Sequence, residues 1–234
     1  MNVPSVSVIL PVYNSEAFIE KAIQSVLGQS FFDFELIIIN DGSTDQSEKI
    51  ILSFTDARIV YLKNEKNFGL IYTLNKGIEL AQGKYIARMD ADDICLPDRL
   101  AKQTAFLDKN ENVSAVATVI DFINEQDEKK GVWYLDRETI TAEQIRRKMP
   151  YENCIAHPTV MVRSAIIKKL KYKPYQENIE DYDLWLRMLN RGLRIEKIDT
   201  PLLLYRVHSN SVTSLHLKES NPFFKHLRMK WKLL

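Results

Sequence analysis

The 234 residues predict an α/β protein built on a doubly wound, mostly parallel sheet, and three features carry that expectation. Short apolar runs alternate with amphipathic stretches through the first half of the chain. Runs such as Leu36 to Ile39 are apolar without alternation, as strands covered by helices on both faces must be. Polar clusters follow the apolar runs, at the strand ends where open doubly wound sheets hold their ligands.

Taken in order, "VSVILPVYN" reads as a strand, "SEAFIEKAIQSVLGQ" as a helix, "FELIIINDG" as a strand and "STDQSEKIILSF" as a helix. The rhythm continues through "ARIVYLKN", "LIYTLNKGIELAQG", "KYIARMDADD", "PDRLAKQTAFLDKN" and "VSAVATVIDFIN". Ser43 with Gln46 three residues on forms a candidate capping box, Pro97 suits a first helical turn, and Gly83 is placed to end its helix. After residue 124 the rhythm breaks at the charged turn "EQDEKKG" and the aromatic run "VWYL". A capping box at Thr141 and Gln144 opens a short helix, "HPTVMVR" reads as a strand, "EDYDLWLRMLNRG" as an amphipathic helix closed by Gly192, and "PLLLYRVH" as a buried strand. The expected organisation is a ligand-binding half over residues 1–124, a second half over 125–217 that completes the same domain, and a C-terminal segment over 218–234.

Composition narrows the function classes. Charged residues make up 27% and hydrophobic ones 45%, as in an ordinary globular protein, and a net charge of +1 offers nothing to steer nucleic acid, so no nucleic-acid partner is expected. Two cysteines with apolar neighbours, Cys95 and Cys154, argue against a disulfide framework or a thiolate zinc site and suit a reducing, cytoplasmic compartment. The start lacks the features of a signal peptide, and no apolar stretch approaches the ~20 residues of a membrane span.

"MDADD", residues 89–93, crowds like charges that raise one another's pKa unless water, a cation or basic side chains compensate. It is either a solvated loop or a divalent-metal site. "PVYN", "NDGSTD" and "MDADD" end the first, second and fourth expected strands, which brings Asp41 and Asp90 to one crevice. No "GxGxxG" follows the first strand, which removes a dinucleotide-binding dehydrogenase. A nucleotidyltransferase would carry a glycine-rich basic loop where this chain has "PVYNSEAF".

These segments, together with "NFGLIYTLNKG", "HPTVMVR", "EDYDLWLRM" and "YRVHSNSVT", resemble the glycosyltransferases of family 2 from about Val6 to about Thr213. The resemblance implies a GT-A fold with a Rossmann-like nucleotide-binding half and an acceptor-binding half. It implies inverting transfer of a sugar from a nucleotide diphosphate donor to a hydroxyl of a saccharide or lipid-linked acceptor, in cell-surface polysaccharide or glycolipid synthesis, aided by Mn²⁺ or Mg²⁺. The alternative is a non-catalytic nucleotide-sugar-binding or scaffold subunit.

Carried over by residue, the family's "DxD" falls on Asp90 and Asp92, with Asp92 on the metal and Asp90 sharing it or nearer the ribose. Residues two apart in extended backbone point the same way, so both can face one ligand. Asp93 is expected to cap the following turn. Asp41 falls on the position that bonds the base, with Pro11, Val12 and Tyr13 as the wall, although Tyr13 also suits core packing. Asn67 is a nucleotide-side candidate that, with Gly69, also has a loop-shaping explanation. Thr73 and Leu74 stand where relatives often carry alanine and arginine, a departure from the family pattern that puts a phosphate contact from that position in doubt. His208 follows "YR" where relatives close a loop over the donor, and it is the candidate third metal ligand. Arg206 suits either a phosphate contact or a surface ion pair.

His157 is expected to pack near the acceptor site without doing chemistry, and His216 and His226 are assigned no role. Asp181 aligns with the catalytic base and Glu180 with its neighbour in substrate binding. Negative charge in a first helical turn also has an electrostatic explanation. The basic segment "NPFFKHLRMKWKLL" puts Phe223, Leu227, Trp231 and Leu234 on one helical stripe. That stripe suits peripheral contact with an anionic membrane, or packing on the domain or on a second copy in a homodimer.

Overall fold

The computed structural model describes residues 3–176 and 178–209. The expected C-terminal helix over residues 218–234, His216 and His226 therefore lie outside the described residues. The first half forms β1 (Val6–Val12), α1 (Ile19–Leu27), β2 (Phe34–Asn40), α2 (Ser47–Leu52), β3 (Ile59–Lys63), α3 (Leu70–Leu80), β4 (Tyr85–Arg88), β5 (Ile94–Cys95), α4 (Arg99–Lys109) and β6 (Val113–Ile123). Then come β7 (Lys129–Val132), α5 (Tyr134–Glu138), α6 (Ala142–Lys148), a 3₁₀ turn at His157–Thr159, β8 (Met161–Arg163), α7 (Ser164–Leu170), α8 (Glu180–Asn190) and β9 (Arg194–Arg206).

Among the described residues one sheet runs β3-β2-β1-β4-β8-β6-β9-β5, with β7 added on β6. β1 lies parallel to β2 and β4, β2 parallel to β3, and β6 parallel to β9. β8 runs antiparallel between β4 and β6. Strands from both sides of residue 124 thus share the sheet.

Alternation within each strand feeds two cores. Ile9, Ile37, Ile39 and Ile86 face one side, where Ile71, Leu74 and Ile78 of α3, Ile167 of α7 and Leu184 and Trp185 of α8 cover them. Val8, Leu10, Leu36, Ile38 and Ala87 face the other, under Ala22 and Ile23 of α1, Ile51 of α2 and Leu100 and Leu107 of α4. Helices on both faces are why these runs carry no polar alternation. The same parity puts Pro11, Asp41, Arg88 and Asp90 on the α3 and α8 side.

Several local expectations change. Ser43 does not cap α2: its hydroxyl accepts from Asn14 N at 3.1 Å, Gln46 N bonds Glu16 Oε2 at 2.7 Å, and the helix begins at Ser47. The loops after β1 and β2 satisfy each other, and these tertiary partners displace the local cap. Pro97 lies two residues ahead of α4. Gly83 is not a helix cap, because α3 ends at Leu80; a Cβ at Gly83 would stand 2.6 Å from Ser7 N, so the residue serves close approach of two backbones. "HPTVMVR" splits into the 3₁₀ turn and the three-residue β8. The Thr141 to Gln144 capping box forms, α8 stops before Gly192 as expected, and both cysteines are buried and free.

Candidate active site

The end of β2 is tied to the loop after β3, and the end of β1 to that of β2 through Asp41 N and Val12 O at 2.7 Å. Asp41 is 4% exposed, and its Oδ1 accepts from Asn64 Nδ2 at 2.7 Å and Phe68 N at 3.0 Å, while Oδ2 accepts from Gly69 N at 2.9 Å. Asn67 Oδ1 also accepts from Gly69 N, at 2.8 Å. Gly42, at φ +71°, lets the Lys66–Asn67 backbone approach to where a Cβ would collide at 2.5 Å. Asp41 and Asn67 therefore shape one loop. Tyr13 is 47% exposed, which ends the core-packing alternative. Val12 turns into the core, so only its backbone borders the strand end.

Beyond β4 the acidic residues converge. Among the described residues, Asp90, Asp92 and Asp93 each offer a carboxylate oxygen within 4.8 Å of the others. Arg88, two residues before Asp90 and on the same side, clamps Asp90 with Nη1 and Nη2 on its two oxygens, each at 2.6 Å. Burial raises the Asp90 pKa, Arg88 opposes this, and Asp92 adds to it. Burial also pushes Asp93 well above the carboxylate range, reinforced by Asp92 and Asp90. His208 Nε2 lies 3.0 Å from Asp92 Oδ2.

Asp93 does not cap a turn. It is 1% exposed and its Oδ1 accepts from Arg206 N at 2.8 Å, which ties the end of β9 to the acidic cluster. Arg206 is not a surface ion pair, being 1% exposed. Its Nε donates to Asp92 O at 2.7 Å, its Nη1 pairs with Asp127 Oδ1 at 2.6 Å, and its guanidinium lies 4.7 Å from the centre of the Phe18 ring. Phe18 also meets the His208 ring at 5.0 Å. Arg206 thus holds the backbone of the acidic segment, and Phe18 bounds the histidine.

The donor set fits a hard divalent ion: the clustered carboxylate oxygens of Asp90, Asp92 and Asp93, with a buried Asp93 Oδ2 that no protein donor satisfies, and the His208 imidazole beside Asp92.

The second acidic group lies at the start of α8, which opens with Glu180 and Asp181. Asp181 is half-buried; its Oδ2 accepts from Asn153 Nδ2 at 2.9 Å and its Oδ1 from Tyr182 N at 2.6 Å. Burial raises its pKa against these bonds. Burial, with Asp181 next in weight, lifts Glu180 to about 7. His157 Nε2 shares a 2.7 Å bond with Tyr172 Oη, and its Nδ1 lies 3.7 Å from Glu180 Oε1. Burial holds the imidazole well below its usual pKa, so this last contact is between a neutral ring and a carboxyl group and is not a salt bridge. The Arg88 charge acts on Asp90, Glu180, Asp181 and Tyr172, so one buried cation influences both acidic groups.

Sequence reasoning missed Arg88, Asn153, Tyr172 and Phe18. Arg88 carried a readable signal, since its spacing of two from Asp90 puts both on one side of an extended chain. Asn153 lies in a loop and carried none.

The family model for glycosyl transferase family 2 matches residues 7–170. The O-antigen biosynthesis glycosyltransferase WbnJ of Escherichia coli is 36% identical over 211 residues, covering 88% of this chain and 81% of WbnJ. The S. aureus TarS fragment 1–349, solved with UDP-GlcNAc, superposes with a TM-score of 0.78 at 21% identity over 95% of this chain, which spans 64% of that fragment. The mannosyltransferase PcManGT of Pyrobaculum calidifontis, solved with GDP-Man and Mn²⁺, gives a TM-score of 0.71 at 17% identity, covering 98% of this chain and 69% of PcManGT. At those identities the two structures establish a shared GT-A fold. With a family match over most of its length and the acidic segment at the end of β4, this chain belongs to glycosyl transferase family 2.

Proposed function

We propose that the chain transfers a sugar from a nucleotide diphosphate donor to an acceptor hydroxyl, with inversion at the anomeric carbon. The observation that carries the reading is that one buried cation, Arg88, clamps Asp90 of the acidic cluster and also acts on Glu180 and Asp181 at the start of α8. On this reading Asp181 serves as the proton acceptor and the acidic cluster as the site for a charged donor.

Pro11, the Val12 backbone, Tyr13, Asp41 and Asn67 border the end where the nucleotide would lie. UDP-GlcNAc in the TarS fragment and GDP-Man in PcManGT support that donor class. Asp90, Asp92 and His208 would hold Mn²⁺ or Mg²⁺, with Asp93 behind them, and the Mn²⁺ of PcManGT supports this assignment. When bound, such an ion supplies charge neutralisation on the departing diphosphate.

Asp181 takes the proton of the acceptor hydroxyl. The oxygen lone pair forms the new bond to the anomeric carbon, and the bond to the diphosphate oxygen breaks with its electron pair leaving on the nucleoside diphosphate. Attack opposite the leaving group inverts the centre. The name of WbnJ supports a saccharide or lipid-linked acceptor in cell-surface polysaccharide or glycolipid synthesis. No helix among the described residues is long and apolar enough to cross a membrane. A scaffold role is disfavoured by the joint presence of Asp90, Asp92 and Asp181.

Asp181→Asn keeps size and removes the proton acceptor. Turnover of a panel of UDP- and GDP-sugars is expected to fall by ~10² to 10⁴ while nucleotide affinity survives. Near-normal turnover in the variant moves the base elsewhere, and a retained anomer by NMR overturns the mechanism.

A further inference from the structure

We propose that Asn153 is a positioning residue for the base: it fixes the orientation of the Asp181 carboxylate and holds it ready to accept a proton. The inference rests on the assignment of Asp181 given above.

The amide of Asn153 can be oriented from its own contacts. Its Oδ1 accepts from Ile155 N at 3.2 Å, so the Nδ2 side is the one turned to Asp181 Oδ2, at 2.9 Å. A donor at this point orients the carboxylate and favours its charged form, since a hydrogen bond to a carboxylate stabilises the anion. That matters here because burial works in the opposite direction on Asp181.

The segment carrying Asn153 is itself anchored on both sides. Tyr182, the neighbour of Asp181, donates its hydroxyl to Met149 O at 2.7 Å. Lys197 donates to Cys154 O at 2.5 Å. The loop between α6 and the 3₁₀ turn is therefore fastened to α8 at one end and to β9 at the other, and the amide it presents is held in place. A loop asparagine with no such anchors would be free to turn to solvent.

The charged and titratable groups that act on or with Asp181 are Glu180 on its own helix, Arg88 from β4 and Tyr172 after α7; Asp90 acts on Glu180 and Tyr172. None of them replaces the Asn153 contact at Oδ2.

The test uses Asn153→Ala, the near-isosteric Asn153→Asp, Asp181→Asn and the double variant Asn153→Ala/Asp181→Asn. The readouts are hydrolysis of UDP-GlcNAc and GDP-mannose with Mn²⁺ as a function of pH, and the affinity for UDP and GDP. Asn153→Ala is expected to lower kcat ~10- to 100-fold at neutral pH, leave nucleotide affinity within ~2-fold, and move the acid limb of the kcat profile to higher pH. Asn153→Asp, which keeps the shape but places a second carboxylate against the first, is expected to move that limb further. In the Asp181→Asn background, Asn153→Ala is expected to cost nothing more, because its effect passes through the base.

An unmoved acid limb in both Asn153 variants overturns the proposal, as does an additive loss in the double variant. Near-normal turnover in Asp181→Asn alone overturns the base assignment instead, so the two failures are distinct. If Asn153→Ala does not fold, the isosteric Asn153→Asp still decides the question.

Discussion

Lys197→Met should destabilise this protein more than any surface charge change, and the reason lies in the burial of its partners. The side chains of Lys197 and Asp136 are both 0% exposed and meet at 2.6 Å. The ammonium also donates to Asp136 O at 2.8 Å, Thr139 Oγ1 at 3.0 Å and Cys154 O at 2.5 Å. Removing it leaves Asp136 with Ile120 N, at 2.9 Å, as its remaining donor. Breaking one side of such a buried pair costs about 3–5 kcal/mol. For a chain of this size each kcal/mol moves Tm by ~2–4 °C, so the melt should fall by roughly 6–20 °C.

The pH dependence has a definite sign. Burial already raises the Asp136 pKa with Lys197 beside it, and losing the lysine raises it further. A group whose folded pKa lies above its unfolded value favours the native state at low pH and loses that support as pH rises through the folded pKa. The deficit of Lys197→Met should therefore shrink between pH 7 and pH 5. Replacing both partners, as Lys197→Met/Asp136→Leu, should recover part of the loss. Circular dichroism melts of the wild type and both variants measure this. A single variant melting within ~2 °C of wild type at pH 7 would refute the reasoning, and so would a deficit that grows on acidification.

The remaining expectations concern the site. Asp92→Ala should abolish Mn²⁺-dependent binding of UDP or GDP with the far-UV spectrum unchanged; calorimetry showing an unaltered metal-dependent affinity would remove Asp92 from the ion site. Glu180, lifted to about 7 by burial, loses native-state support as pH rises from about 4.5 through about 7. Glu180→Gln should accordingly gain stability over wild type across that window, by up to about 3 kcal/mol once wild-type Glu180 ionises. Equal Tm differences at pH 5 and pH 8 would show that Glu180 does not titrate in this range.

The strands of the first half were legible because their chemistry is local. Leu36 to Ile39 had to be covered on both faces, and the alternating cores around Ile37 and Ile38 are what that run meant. The acidic segment was legible for the same reason, since Asp90 and Asp92 share a side through the period of an extended chain. Helix starts were less secure. Thr141 and Gln144 cap their helix through partners within the same turn, Ile140 N also donating to Gln144 Oε1, whereas Ser43 and Gln46 were taken by Asn14 and Glu16 from another loop.

What the tertiary structure alone decided is the joining of distant segments. β8 enters between β4 and β6, an order no periodicity encodes, because pairing depends on which edges are left open once the first strands have assembled. Arg206 was ambiguous in the sequence since an arginine at a strand end suits solvent as well as burial; only the folding of β9 against Asp92, Asp93 and Asp127 made it a buried support. Asn153 shows the limit most plainly. A loop asparagine has no pattern to betray it, and its contact with Asp181, 28 positions away, exists because Tyr182 and Lys197 fasten the loop from two other elements. Spacing reveals what neighbours along one chain share; a hydrogen bond between loops is fixed by every element that holds both ends still.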